Sequence, residues 1–181
     1  MHEIETKVLE VERDEIEKKL NALGAKKISE ERLTVDWYGP KGLTHDGDDP
    51  WFLRVRTYGA TGKHEVTWKA KSDILGTARK HKEINFTVSD FSQAGDLFDE
   101  LDLEKYGHQE KERVSWKLQN VQFDLDIYPN MLPFLEIEAG SEEEINEIIQ
   151  KLDLKNNQTW NDGERTLIKE KYNLDWFNMR F

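Results

Sequence analysis

The sequence predicts an α+β protein: a β-barrel with a charged interior and helices packed on its outside. Three observations predict it. Short runs that alternate apolar and polar residues recur along the chain. Three other stretches space their apolar residues as amphipathic helices do. The polar faces of the alternating runs carry charges that are largely segregated by sign from run to run. Of the 181 residues, 36% are hydrophobic and 35% charged. That apolar share is low, but six Trp, five Tyr and eight Phe argue for an ordered core, because disordered segments are poor in aromatics.

The elements follow in order. Residues 3–9 alternate, with Ile4, Thr6 and Val8 on one face and Glu3, Glu5 and Lys7 on the other, and read as a strand. Asp14 to Leu23 places Ile16, Leu20 and Leu23 at helical spacing, with Gly24 as the C-cap. A strand over 31–38 leads into a Gly-, Pro- and Asp-rich loop at 39–50. Its Asp46-Gly47-Asp48-Asp49 run resembles half a calcium loop. Thr57 stands at the twelfth position, where a Glu is required, so the run reads as a mobile acidic loop. Three strands are expected at 51–58, 63–71 and 79–88, separated by glycine-bearing turns. A helix over 90–101 follows, capped by Ser89 or Asp90. Strands at 111–118, 121–128 and 134–139 come next. Ser141 with Glu144 forms a capping box for a helix running to about Leu152, and 166–172 is a short helical candidate. No repeat or linker interrupts the chain, so residues 1–181 read as one domain.

Residues two apart on a strand share a face. Arg54 and Arg56 lie together, as do Thr67, Lys69 and Lys71, and Lys111 and Arg113. Asp124 and Asp126 form an acidic pair, as do Glu136 and Glu138. Only the Glu3-Glu5-Lys7 and Arg79-His81-Glu83 faces mix signs. A sheet with one face in water would mix charges throughout, and like charges two apart on one face repel. The pattern becomes reasonable if a metal neutralises the acids and a polyanion the bases. Closing the strands into a barrel puts this face inside and the apolar face outside, under the three helices. So charged an interior cannot be dry; it is expected to be a water-filled tunnel that exchanges water for ligand.

Paired carboxylates, with no Cys and few His, suit a hard cation, Mg²⁺ or Mn²⁺. Arg binds phosphate oxygens as a fork and Lys as a point charge. The number of cations exceeds what a monophosphate needs and matches a triphosphate. Other classes are disfavoured. The net charge of −11 opposes non-specific nucleic-acid binding. The lack of cysteine removes disulfides and thiolate metal sites. No apolar run approaches the ~20 residues that span a membrane, and Met1-His2-Glu3-Ile4-Glu5 has no signal-peptide pattern. A cytoplasmic protein, monomer or homodimer, is expected. His81 reads as a surface or hydrogen-bonded residue. Trp37, Trp51 and Trp160 are candidates to line the tunnel mouth.

Glu3-Ile4-Glu5-Thr6-Lys7 resembles the ExExK motif of the CYTH superfamily, the triphosphate tunnel metalloenzymes, which include class IV adenylyl cyclases, thiamine triphosphatases and inorganic triphosphatases. The resemblance continues in order through Leu53-Arg54-Val55-Arg56 (RxR), Thr67-Trp68-Lys69-Ala70-Lys71 (TxKxK), Arg79-Lys80-His81-Lys82-Glu83, Lys111-Glu112-Arg113 (KxR), Asp124-Leu125-Asp126 and Leu135-Glu136-Ile137-Glu138 (ExE). It implies an eight-stranded antiparallel tunnel. It implies that Glu3, Glu5, Glu136 and Glu138 hold metal with help from Asp126, and that Glu83 binds metal or orients a basic neighbour. It implies that Lys7, Arg54, Arg56, Lys69, Lys71 and Arg113 grip phosphates, joined by Lys111 and Arg79, with Glu5, Lys7, Arg56 and Glu138 at the catalytic centre. Cyclase-like members carry a His-Phe pair before ExExK, which His2 does not replace, and the segment after Arg165 is only loosely similar to the family. The expected function is hydrolysis of a triphosphate-bearing small molecule (inorganic triphosphate, thiamine triphosphate or a nucleotide). A class IV cyclase, or a non-catalytic polyphosphate or nucleotide binder, is the alternative.

Overall fold

Strand pairing dominates the computed structural model, which describes residues 2–45, 49–71, 73–75 and 78–181; for residues 2, 3, 73–75 and 78–81 it describes the backbone alone. Eleven strands join one sheet: β1 (His2–Val8), β2 (Lys26–Pro40), β3 (Trp51–Tyr58), β4 (His64–Ala70), β5 (Asp73–Leu75), β6 (Ala78–Val88), β7 (Leu103–Leu118), β8 (Val121–Ile127), β9 (Phe134–Ala139), β10 (Thr159–Trp160) and β11 (Asn178–Met179). The order runs β10-β1-β9-β8-β7-β2-β3-β4-β6-β5. Pairing is antiparallel except where β11 joins β7. β1 pairs with β9 through Ile4–Val8 and also with β6 through residues 2–5 and 79–82, which brings the two ends of the order together. No helix among the described residues is long and apolar enough to cross a membrane.

Three helices lie where the periodicity places them: α1 (Arg13–Leu23), α2 (Phe91–Glu100) and α3 (Glu142–Lys151). Gly24 ends α1 at φ 88°, the left-handed conformation that glycine adopts without steric cost, and its N–H reaches back to the Asn21 and Leu20 carbonyls. Asp90 caps α2 by accepting from the Gln93 N–H at 3.1 Å. Ser141 caps α3 by accepting from the Glu144 N–H at 3.2 Å. Glu144 in return accepts from the Gly140 N–H, at 3.0 Å, rather than from the cap residue itself.

The apolar strand face is covered as expected over most of the sheet. Ile16 and Leu20 of α1 and Ile145, Ile148 and Ile149 of α3 pack with Val8, Val114, Trp116, Phe123, Leu125, Leu135 and Ile137. Each fully buried aliphatic side chain contributes roughly 1.5–3 kcal/mol relative to exposure. Phe98 of α2 packs with Tyr38, Leu53, Val55 and Val66. On β6 the cover is incomplete, and Ile84 and Phe86 stay about half exposed.

Several expectations change. β2 and β7 are about twice as long as expected, because Lys26–Pro40 and Leu103–Lys117 pair with each other over nearly their whole length. Residues 103–110 are too polar to announce a strand; their neighbour makes them one. The C-terminal candidate is a short α4 (Glu164–Thr166) followed by a π-helical turn, Leu167–Lys171. Asp46 to Asp48 lie outside the described residues. Asp49 is no part of a mobile loop: it is buried, 3.2 Å from His45 Nδ1, and it accepts from Arg165 Nη1 at 3.0 Å.

The largest change concerns the interior. One end of it is apolar. Val35, Trp37, Tyr128 and Phe134 form a buried cluster with Leu9 and, from the C-terminal segment, Leu167, Ile168, Trp176 and Met179. Trp37 is therefore buried in this plug and lines no open mouth. Trp160 packs against the same cluster, and Trp51 packs against the α2 core.

Candidate active site

Residues directly opposite each other in an antiparallel pair lie on one face, so register alone shows which predicted side chains are brought together. Glu5 stands opposite Glu138 and Lys7 opposite Glu136. Glu136 is opposite Asp124, and Phe134 opposite Asp126. Asp126 faces Arg113, and Asp124 faces Ser115. Lys111 is opposite Leu33. Arg56 and Arg54 oppose Val35 and Trp37. Arg54 continues to Thr67 and Phe52 to Lys69, and Lys69 to Glu83. Apart from Glu3, one continuous face thus carries every predicted site residue within β1, β3, β4, β7, β8 and β9, together with Glu83. The backbone register sets Glu3 opposite His81 and Arg79 opposite Glu5; the side chains of Glu3, Arg79 and His81 lie outside the described residues. Lys71 falls one residue beyond the end of β4 and is exposed.

This face is buried although it is charged. Glu5, Lys7, Arg54, Arg56, Lys111, Arg113, Asp124 and Asp126 are each at most 8% exposed. Burying an ion costs several kcal/mol unless partners replace its water, and here the partners are dense. Arg113 donates from Nε and Nη2 to the two oxygens of Asp126, each at 2.6 Å, and from Nη1 to Asp124 at 2.6 Å. Ser115 donates to the other Asp124 oxygen at 2.6 Å. Lys111 Nζ donates to Asp126 at 2.8 Å and to Glu164 at 3.0 Å. Lys7 Nζ lies 3.2 Å from Glu136 and 3.9 Å from Glu5, and donates to the Asp162 carbonyl at 3.4 Å. Lys69 pairs with Glu83 at 2.5 Å.

The electrostatics follow. Burial and Glu5 push the Glu136 carboxyl up, but Lys7, Arg113 and Lys111 outweigh them and bring it down to about 2. Burial lowers the Arg113 pKa; Asp124, Asp126 and Glu136 overcome this and raise it well above the ordinary guanidinium value. Arg54 goes the other way, lowered by burial and then by the neighbouring Arg56. Glu164 is pushed up by burial but held well below the usual carboxylate range by Lys111, Lys7 and the Tyr128 hydroxyl.

Two regions of this face differ in how far they are satisfied. The Asp124–Asp126–Lys111–Arg113 cluster is saturated: both Asp126 oxygens accept from cations. Across the face, Arg54 Nε, Arg56 Nε and Thr67 Oγ1 are buried with no hydrogen-bond partner. Buried donors without acceptors cost about 1–3 kcal/mol each, so this is where an anion would complete the structure. For a cation, the donor set is hard oxygen, as Mg²⁺ or Mn²⁺ requires, and Glu5 and Glu138 are cross-strand neighbours. Among the described residues, no three His, Asp or Glu side chains converge on one metal position; the Lys7 ammonium is the cation that Glu5 and Glu136 share.

Sequence reasoning missed four contributors. Glu164 and Tyr128 meet at 2.5 Å beside Lys111. Glu65 lies opposite Arg56, 3.8 Å from it. Gln109, fully buried, accepts from Trp37 and donates to the Trp176 carbonyl. Alternation could have found Glu65 and Gln109, two residues before Thr67 and Lys111. Nothing local marks Glu164, which reaches the face from a different part of the chain.

Comparison with known proteins agrees with this geometry. The CYTH domain family model matches residues 1–164. The PH1012 protein of Pyrococcus horikoshii is 31% identical, with a TM-score of 0.70 over 84% of this chain and 91% of its own. A conserved hypothetical protein of Pyrococcus furiosus is 22% identical (TM-score 0.75; 92% of this chain, 99% of its own). A Hippeastrum protein, HpAC1, described as a putative adenylyl cyclase with a dominant triphosphatase activity, shares the fold at 13% identity (TM-score 0.66; 98% of this chain, 100% of its own). No curated protein sequence matches the chain significantly. With the family model spanning nearly all of it, the chain belongs to the CYTH family.

Proposed function

We propose that the protein is a divalent-metal-dependent triphosphatase acting on a small molecule that carries a triphosphate. The observation that carries this reading is the set of buried, unpartnered donors of Arg54, Arg56 and Thr67, facing an interior that already holds Lys7, Lys69, Lys111 and Arg113. The interior carboxylates leave these donors unmatched, and an extended anion would supply their acceptors while reaching the neighbouring cations. Arg54 and Arg56 supply guanidinium forks, while Lys7, Lys69 and Lys111 supply point charges. Lys71 and Arg79 complete the phosphate-binding set. The triphosphatase activity given for HpAC1 supports hydrolysis over cyclisation.

Glu3, Glu5, Glu136 and Glu138 would hold Mg²⁺ or Mn²⁺, which supplies charge neutralisation and an activated water. Lys7 must then release Glu5 and Glu136, and a phosphate oxygen is its natural next partner. Asp126 is better understood as a brace: its oxygens fix Lys111 and Arg113 in place, which leaves them pointed at substrate without reorganisation. Glu83 orients Lys69 in the same way. Arg56 and Arg113 stabilise charge as it shifts onto the leaving phosphate.

Incubation with inorganic triphosphate, thiamine triphosphate or ATP, with Mg²⁺ or Mn²⁺, and identification of all products tests this. Orthophosphate release that stops on chelation and resumes on adding the metal is the expected result. Cyclic AMP and pyrophosphate from ATP would instead identify a cyclase. Tight binding without turnover under either metal would leave a binding protein.

A further inference from the structure

Glu164 is a carboxylate placed where the phosphate-binding face ends. Its Oε1 accepts from Lys111 Nζ at 3.0 Å and its Oε2 from the Tyr128 hydroxyl at 2.5 Å. Lys111 has a second carboxylate, Asp126, at 2.8 Å, so Glu164 is not needed to neutralise it. Toward Gln109 and Gly107, the next positions on this face of β7 after Lys111, the face turns apolar apart from Arg54, which lies against Trp37. Val35, Trp37 and Phe134 continue the same face and are capped by Leu167, Ile168 and Trp176. The next residue, Arg165, anchors outward: it donates to Asp49, the His45 carbonyl and the Tyr106 hydroxyl, and lies 4.4 Å over the Trp176 ring. This anchor fixes the backbone beside Glu164.

We propose that Glu164 is a specificity-determining residue that sets the length of the phosphate chain: it stops a triphosphate at Lys111 and turns longer chains away. The inference rests on the triphosphate reading above. A fourth phosphate at this end would meet an anionic carboxylate and then a wall of hydrocarbon. Like charges at such separations in a buried site repel by several kcal/mol, and packed side chains do not yield space cheaply. An amide in place of Glu164 keeps the shape and an acceptor for Tyr128, leaves Lys111 on Asp126, and removes the repulsion.

The test compares inorganic tripolyphosphate with linear inorganic tetraphosphate, using the full chain and Mg²⁺, with affinity from calorimetry and turnover from phosphate release. The wild-type protein is expected to favour tripolyphosphate by at least about tenfold, and Glu164→Gln to reduce that preference by about tenfold. A change in overall stability would shift both ligands together and leave the ratio untouched. Equal wild-type affinity for the two chains, or an unchanged ratio in Glu164→Gln, overturns the inference while leaving the triphosphate reading standing. Failure of the wild type to bind tripolyphosphate at all removes the reading itself. If Glu164→Gln does not fold, Glu164→Met, which also removes the charge at similar length, is read by the same ratio: relaxed selectivity supports the inference and an unchanged ratio overturns it.

Discussion

Replacing Asp126 by Asn removes one charge from the most tightly bonded part of the interior. Asp126 is fully buried and accepts three charge-assisted hydrogen bonds, two from Arg113 and one from Lys111. Asn keeps a single acceptor oxygen and turns an NH₂ group toward donors that have nothing to receive it. Breaking one side of a buried ion pair costs about 3–5 kcal/mol. Arg113 retains Asp124, and Lys111 retains Glu164, so the lower end, about 3 kcal/mol, applies. With a urea m-value of about 2 kcal/mol/M, the unfolding midpoint falls by roughly 1.5 M, followed by the fluorescence of the six tryptophans. Lys111→Met added to Asp126→Asn should cost at least about 1 kcal/mol less than the sum of the single changes, because it removes one of the stranded cations. A loss below about 1 kcal/mol, or strict additivity, would refute the view that Asp126 is a brace for two buried cations.

Arg54→Met removes a buried guanidinium whose Nε has no partner; stability should hold or rise by about 1 kcal/mol in urea unfolding, while triphosphate affinity collapses. Arg56→Ala and Glu5→Ala should each abolish turnover with the circular dichroism spectrum unchanged. Glu136 has a pKa lowered from 4.5 to about 2 in the fold, so it contributes stability above its unfolded pKa that is lost as pH falls from 4.5 through 2; at roughly 1.4 kcal/mol per unit this is about 3 kcal/mol. Measured without metal, wild type should therefore lose more stability on acidification through that window than Glu136→Gln. Ser141→Ala deletes the α3 cap and should cost about 1 kcal/mol in urea, with no change in activity.

Much of the site could be read in the chain because a strand alternates with a period of two. Arg54 with Arg56, Asp124 with Asp126 and Glu136 with Glu138 each had to share a face once their segments were strands, and the apolar residues between them had to face the helices. The full lengths of β2 and β7 could not be read this way, since the polar stretch at 103–110 becomes a strand only by pairing with β2.

The sequence by itself therefore determined which residues would stand together on the charged face, because that depends on local backbone geometry alone. Tertiary structure decided which charges neutralise one another and where the face stops. Asp126, expected from the chain to help hold metal, accepts from Arg113 and Lys111, which converge on it across strands. Glu164 and the hydrocarbon plug close one end because the C-terminal segment returns to residues more than a hundred positions earlier, such as Val35 and Trp37. Alternation along a strand carries no record of such a contact, for it comes from packing between distant segments and from the cost of leaving buried ions without partners.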